Sequence, residues 1–258
     1  MSRFDGRKLL ALIPGAYFLQ TRIDGPRALL YTVGTSFIPA WWLLVRLGGE
    51  PATSAAASFA LGYLAFIAVY ELGYLANDLL DAKRPGGRQR CAFIAGPVYV
   101  LLFAATRLAC WSGIGWATGW LADPLWLAGH VAMLIVFALH NLLGPPAPRS
   151  ATFVQLALLR FTLPILGALP KVALPLVLLL GLLLYVYLRW LAYLDSKALL
   201  AMPARKDANF GLLQIALLLP VLSFIALGTN STLPLELWLW FVLLYFGWML
   251  AARTGRPA

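Results

Sequence analysis

Glu71, Asn77, Asp78 and Asp81 are the residues whose type and spacing could do chemistry, closing an apolar run that reads Val69-Tyr70-Glu71-Leu72-Gly73-Tyr74-Leu75-Ala76-Asn77-Asp78-Leu79-Leu80-Asp81. At 100° per residue, Glu71, Tyr74, Asp78 and Asp81 share one helix face, spaced i, i+3, i+7 and i+10, with Asn77 at its border. Three carboxylates and an amide pointing into a bundle need a cation or basic partners, because an ionised side chain at the bilayer centre costs about 2.5–3.5 kcal/mol. Oxygen donors of this kind suit Mg²⁺, usually held by one or two carboxylates together with substrate phosphates. Lys83, Arg84, Arg88 and Arg90 follow at once, in the loop Lys83-Arg84-Pro85-Gly86-Gly87-Arg88-Gln89-Arg90. Carboxylates for a metal and guanidinium forks for phosphate oxygens are the two halves of a metal–diphosphate clamp. Arg88 and Arg90 are the cations assigned to it here, although such loops also serve membrane topology alone.

The elements that must position these groups are membrane helices. Of 258 residues, 62% are hydrophobic and only 12% charged, against about 25% charged in an ordinary soluble domain. Mean hydropathy is +0.82. A soluble protein of this size cannot hide so much apolar surface, and short alternating strands of an outer-membrane barrel are not what the sequence contains. Two cysteines, Cys91 and Cys110, are too few for a disulfide framework. A spanning helix needs about 20 mostly apolar residues, and eight segments qualify: 27–48, 54–78, 91–110, 126–143, 151–169, 172–194, 209–227 and 234–252. Residues 1–26 have basic ends around an apolar middle, the pattern of an amphipathic helix lying in the interface. Residues 27–258 form one transmembrane domain, and 111–125 reads as an interfacial loop. Trp111, Trp116, Trp120, Trp126, Trp238, Trp240 and Trp248 gather toward helix ends, as an aromatic belt does.

With the N-terminus inside, the segments 1–26, 79–90, 144–150, 195–208 and 253–258 fall on one face. Counting Arg27, they hold 15 of the 20 Lys and Arg. The other face keeps Arg46, Arg107 and Lys171, while Arg160 and Arg189 lie within helices. This is the positive-inside pattern, and it places both termini in the cytoplasm. It also accounts for the net charge of +10 without nucleic acid as a partner. The expected location is the inner or plasma membrane of a bacterium, with membrane lipids around the chain.

The segment YLANDLLDAKRPGGRQRCAFIAG resembles the first aspartate-rich motif, basic loop and third-helix start of the UbiA superfamily of intramembrane prenyltransferases. Asn77, Asp78 and Asp81 match the pattern Asn-Asp-x-x-Asp-x-x-x-Asp, whereas its last position is Pro85, which cannot ligate. The segment HNLLGPPAPRSATFVQLALLRFTLPILGAL is similar to the family's Tyr-Ser-x-Pro-Pro-x-x-x-Lys region, with Pro145 and Pro146 matching, His140 near the Tyr and Arg149 near the Lys. Of the second motif, Asp-x-x-x-Asp, only Asp195 is present, with Lys197 two residues on. Arg189, Tyr193 and Lys197 recur at i, i+4 and i+8 on one face, which suits either a phosphate pocket or snorkelling to headgroups.

The resemblance implies an all-α bundle of eight to nine spanning helices and a Mg²⁺-dependent transferase. Its donor would be a prenyl diphosphate, with Asn77, Asp78 and Asp81 as catalytic metal ligands. Arg22, Glu71, Arg88, Arg90, Arg149, Tyr193, Asp195 and Lys197 would bind the isoprenoid lipid and its phosphate-bearing co-substrate. Loss of the second motif also fits relatives that transfer phosphoribose from phosphoribosyl pyrophosphate to a polyprenyl phosphate. A non-catalytic subunit or a transporter on the same scaffold is the reading from another class. The oligomeric state is open, a homo-oligomer included.

Overall fold

The structure, a computed structural model, describes residues 6–83, 90–91, 96–200 and 208–253, all but the side chains of Ala208 and Ala252. Regular structure among them is entirely helical. Two short helices, α1 (Gly6–Ala11) and α2 (Ala16–Arg22), come first. Eight long ones follow: α3 (Gly25–Gly48), α4 (Ala52–Ala82), α5 (Pro97–Ala117), α6 (Pro124–Leu142), α7 (Pro146–Leu166), α8 (Lys171–Ser196), α9 (Asn209–Thr229) and α10 (Leu233–Ala251). Seven of the eight are long and apolar enough to cross a membrane. The chain is a polytopic helical bundle.

The exception is α7, which has the length but carries Arg149, Gln155 and Arg160. It stands at the seam of the molecule. Leu156 and Leu163 pack with Phe66, Tyr70, Trp126 and Phe137 on one side. Phe161 and Ile165 pack with Leu43, Leu184, Leu222 and Phe241 on the other. A helix covered by protein on two sides has little lipid to satisfy, so it tolerates polar residues where they meet a partner or a cavity.

Proline sets several helix starts. Pro97, Pro124 and Pro146 each occupy the first turn, where a missing N–H costs nothing and a fixed φ favours the helix. Asp123 caps α6 by accepting the Leu125 N–H at 3.0 Å, and it is also ion-paired with Lys171. The third spanning helix therefore begins at Pro97, not residue 91, and runs on to Ala117. That extension takes the first half of the expected interfacial loop into α5, and the rest holds a single 3₁₀ turn at Trp120–Ala122 before α6.

The N-terminal segment departs further from expectation. It is two helices rather than one, and it docks into the bundle through buried Ala11, Tyr17 and Phe18. Pro14 and Gly15 break it. Gly15 sits at φ +90°, a left-handed conformation that a side chain resists, and this turn aims its N–H at α4. Tryptophan is redistributed as well. Trp126 is fully buried and stacks on Trp111 at 5.1 Å, and Trp238 and Trp240 donate to backbone carbonyls of Ile215 and Gly34. These rings join helices; Trp116, at 79% exposure, is the one that faces outward as a belt residue does.

Candidate functional site

The acidic face of α4 divides into two faces about 100° apart. Glu71, Leu75 and Asp78, at i, i+4 and i+7, turn toward the N-terminal segment and α5. Tyr70, Tyr74 and Asn77, one residue earlier in register, line a cavity of about 170 Å³ together with residues of α6, α7 and α8. Helical phase alone puts both sets within reach of one site. The neighbours decide which set meets which surroundings.

Glu71 is completely buried. Its Oε2 accepts from Arg107 Nη2 at 2.8 Å and Nε at 3.1 Å and from the Gly15 N–H at 3.0 Å, and its Oε1 accepts from the Phe18 N–H at 2.7 Å. Arg107, equally buried, also donates to the carbonyls of Ala11 (2.5 Å), Leu12 (2.8 Å) and Ile13 (3.2 Å). Arg107 is thus not a cation of the opposite membrane face. It lies mid-way along α5, and it holds the break between α1 and α2. A lone arginine inside an apolar helix was the available signal, since such a residue must find an internal acid.

Asp78, 1% exposed, is committed in the same way. Tyr17 donates its hydroxyl to Oδ2 at 2.5 Å, and Arg22 Nη2 donates to Oδ1 at 2.7 Å. Burial, then the bond to Asp78, pushes the Tyr17 hydroxyl well up, so it stays a donor. Burial works against the Arg22 charge, but the hydrogen bond and the field of Asp78 outweigh it and raise the guanidinium further. Arg22 also lies over the Tyr74 ring at 4.4 Å. Arg22 was expected to bind substrate; here it neutralises a motif carboxylate. Tyr17 had no motif to announce it.

This donor set does not fit Mg²⁺ at the first motif. Both Asp78 oxygens are already bonded, and Asn77 faces the cavity on the adjacent side of the helix. No group of three His, Cys, Asp or Glu among the described residues is arranged to hold a metal. Asp78→Asn keeps an acceptor for Tyr17 but leaves Arg22, 13% exposed, without its counter-charge. We expect a stability loss on the order of 2 kcal/mol. It would be read as a lower unfolding temperature in micelles, largely absent in Arg22→Gln/Asp78→Asn. Unchanged stability in the single variant would remove this structural role.

The remaining expected site residues scatter. Arg149 donates Nε to the Leu143 carbonyl at 2.5 Å, closing the end of α6 rather than facing a substrate. Tyr193 stacks on Phe153 at 4.3 Å, and exposed Lys197 lies over Tyr193 at 5.9 Å. Asp81 and Asp195 have partners of their own and are not on the cavity wall. Arg90 sits in the turn beside Cys91, also away from the wall. Arg88 lies outside the described residues.

What the wall does contain is cationic and aromatic. Tyr70, Tyr74, Phe137, Phe153 and Tyr185 surround Asn77, His140, Asn141, Arg160 and Arg189, with no carboxylate among them. His140 Nδ1 meets Thr152 Oγ1 at 2.8 Å. Two π-helical turns frame the site, Val33–Phe37 in α3 and Gly181–Val186 in α8, and Arg189 Nη2 bridges toward them by donating to Thr35 Oγ1 at 3.3 Å. Such turns often occur at functional sites, where they re-aim side chains. No family model matches this chain, and no curated protein or solved structure matches it either. The site must be read from its own chemistry.

Proposed function

We propose that the chain is an intramembrane transferase of UbiA type, acting on an isoprenoid substrate that carries phosphate. One observation carries the reading: a cavity inside an apolar bundle whose polar groups are cations, amides, phenols and an imidazole, without an acid. Such a wall suits an anionic head group joined to an apolar chain. In this reading Arg160 and Arg189 hold the phosphate oxygens, Asn77 and His140 line the same wall, and the aromatic wall excludes water from the reacting carbon. The chain's own residues supply the positive field toward a departing or accepting phosphate. Both termini face the cytoplasm, and the phosphate enters from that side.

The leading reaction is transfer of a prenyl group from a prenyl diphosphate to an acceptor. A second reaction, phosphoribosyl transfer from phosphoribosyl pyrophosphate to a polyprenyl phosphate, is favoured by the second motif, of which only Asp195 is present. Purified protein in nanodiscs should convert one of two labelled donor sets, prenyl diphosphates with an acceptor panel or phosphoribosyl pyrophosphate with a polyprenyl phosphate. Arg189→Gln should slow that conversion at least about tenfold, since a charge-assisted bond contributes about 1.5–3 kcal/mol. No product from either set by mass spectrometry, with and without Mg²⁺, would leave a non-catalytic membrane protein.

A further inference from the structure

We infer that Arg160 and Arg189 form an anion site that takes the phosphate of a lipid without a divalent cation. The lipid part of this statement rests on the transferase reading; the anion part does not. Arg160 makes no hydrogen bond or ion pair among the described residues, and its guanidinium carbon lies 5.0 Å from the centroid of the Phe18 ring. Arg189 keeps a single long bond to Thr35 and lies over Tyr185 at 4.4 Å and Tyr31 at 5.1 Å, while its Nε is buried without a partner. Aromatic faces offset part of the cost of two such cations in one enclosure. They do not bring a counter-charge, and two like charges facing one low-dielectric space repel.

The nearby acids cannot supply it. Glu71 is taken by Arg107 and Asp78 by Arg22 and Tyr17, and neither lines the cavity. Donor capacity is left over in the same wall. The Tyr185 hydroxyl is buried with no partner, and Tyr185 lines the cavity with its ring under Arg189. A phosphate set between Arg160 and Arg189 would neutralise both, by charge-assisted bonds whose geometry suits guanidinium. Phe137, Phe153, Leu156 and Ala157 supply the apolar side of the cavity. A head group with a hydrocarbon attached therefore fits better than a free ion.

The test is a binding experiment in EDTA, with the full chain in nanodiscs and farnesyl phosphate, farnesol and inorganic phosphate as probes. We expect farnesyl phosphate to bind without metal, and Arg160→Gln and Arg189→Gln each to weaken it at least tenfold. Farnesol should bind equally to all three proteins. That equality shows that the Gln variants fold, and Arg160→Lys and Arg189→Lys, which keep the charge, should recover part of the loss. Binding that requires Mg²⁺, or that survives both Gln substitutions, would overturn the site. Inorganic phosphate binding as tightly as farnesyl phosphate would overturn the lipid assignment. Farnesyl phosphate binding without turnover of any donor would leave the site standing and remove only the transferase reading.

Discussion

Arg107→Leu is expected to cost about 3–5 kcal/mol, the range for stripping one partner from a buried ion pair. The Glu71 carboxylate would remain fully buried with its charge uncompensated, and the carbonyls of Ala11, Leu12 and Ile13 would lose their donor. Glu71→Gln should cost less, about 1–3 kcal/mol. Arg107 would keep its three carbonyls, and the amide would set one donor against the Gly15 or Phe18 N–H. Many buried ion pairs can be exchanged for apolar residues at little cost. This one differs, because it also satisfies backbone groups of the α1–α2 break, so Glu71→Leu/Arg107→Leu should not recover the loss. Thermal unfolding in micelles, together with hydrogen exchange over residues 6–22, checks the order. A double variant as stable as the parent would show that the pair does not anchor the N-terminal segment.

Gly62→Ala is the second substitution with a large expected effect. A Cβ at position 62 would stand 2.0 Å from the carbonyl oxygen of Pro164 and 2.9 Å from its carbonyl carbon. Backbone meets backbone there, so no rotamer change relieves the overlap and α4 must move off α7. Overpacking commonly costs about 1–3 kcal/mol and sometimes more, and we expect the upper end. Arg160 lies one turn from Pro164, so the same displacement should weaken farnesyl phosphate binding. Gly113→Ala, in α5 with nothing within 4 Å of its added Cβ, is the control and should stabilise by about 0.5–1 kcal/mol through helix propensity. Equal unfolding temperatures for the two variants would contradict the close approach of α4 and α7.

Much of the architecture can be read from the amino-acid order. Long apolar runs bounded by proline, glycine and charge locate the helices because a bilayer admits few other solutions for a hydrogen-bonded backbone. The segments 54–78 and 126–143 lie close to α4 and α6 for that reason. The start of α5 moved because Gly96 and Pro97 set the boundary locally, against a hydropathy window that is blind to both. α7 was also legible as a helix, but its arginine acquires meaning only from the two cores and the cavity around it.

The candidate site was less legible. Periodicity places Glu71, Tyr74, Asn77, Asp78 and Asp81 on α4 and fixes their angles relative to one another. It carries no information about what lies opposite each angle. The tertiary structure decides that the N-terminal segment, reaching back 61 residues to bring Tyr17 to Asp78, covers one side of α4, and α6, α7 and α8 cover the other. A carboxylate pays for burial by finding the nearest cation, and Arg22 and Arg107 are distant in sequence yet adjacent in space. Helix existence follows from local energetics, which a sequence records residue by residue. The pairing of buried charges follows from packing among helices, which only the folded chain specifies.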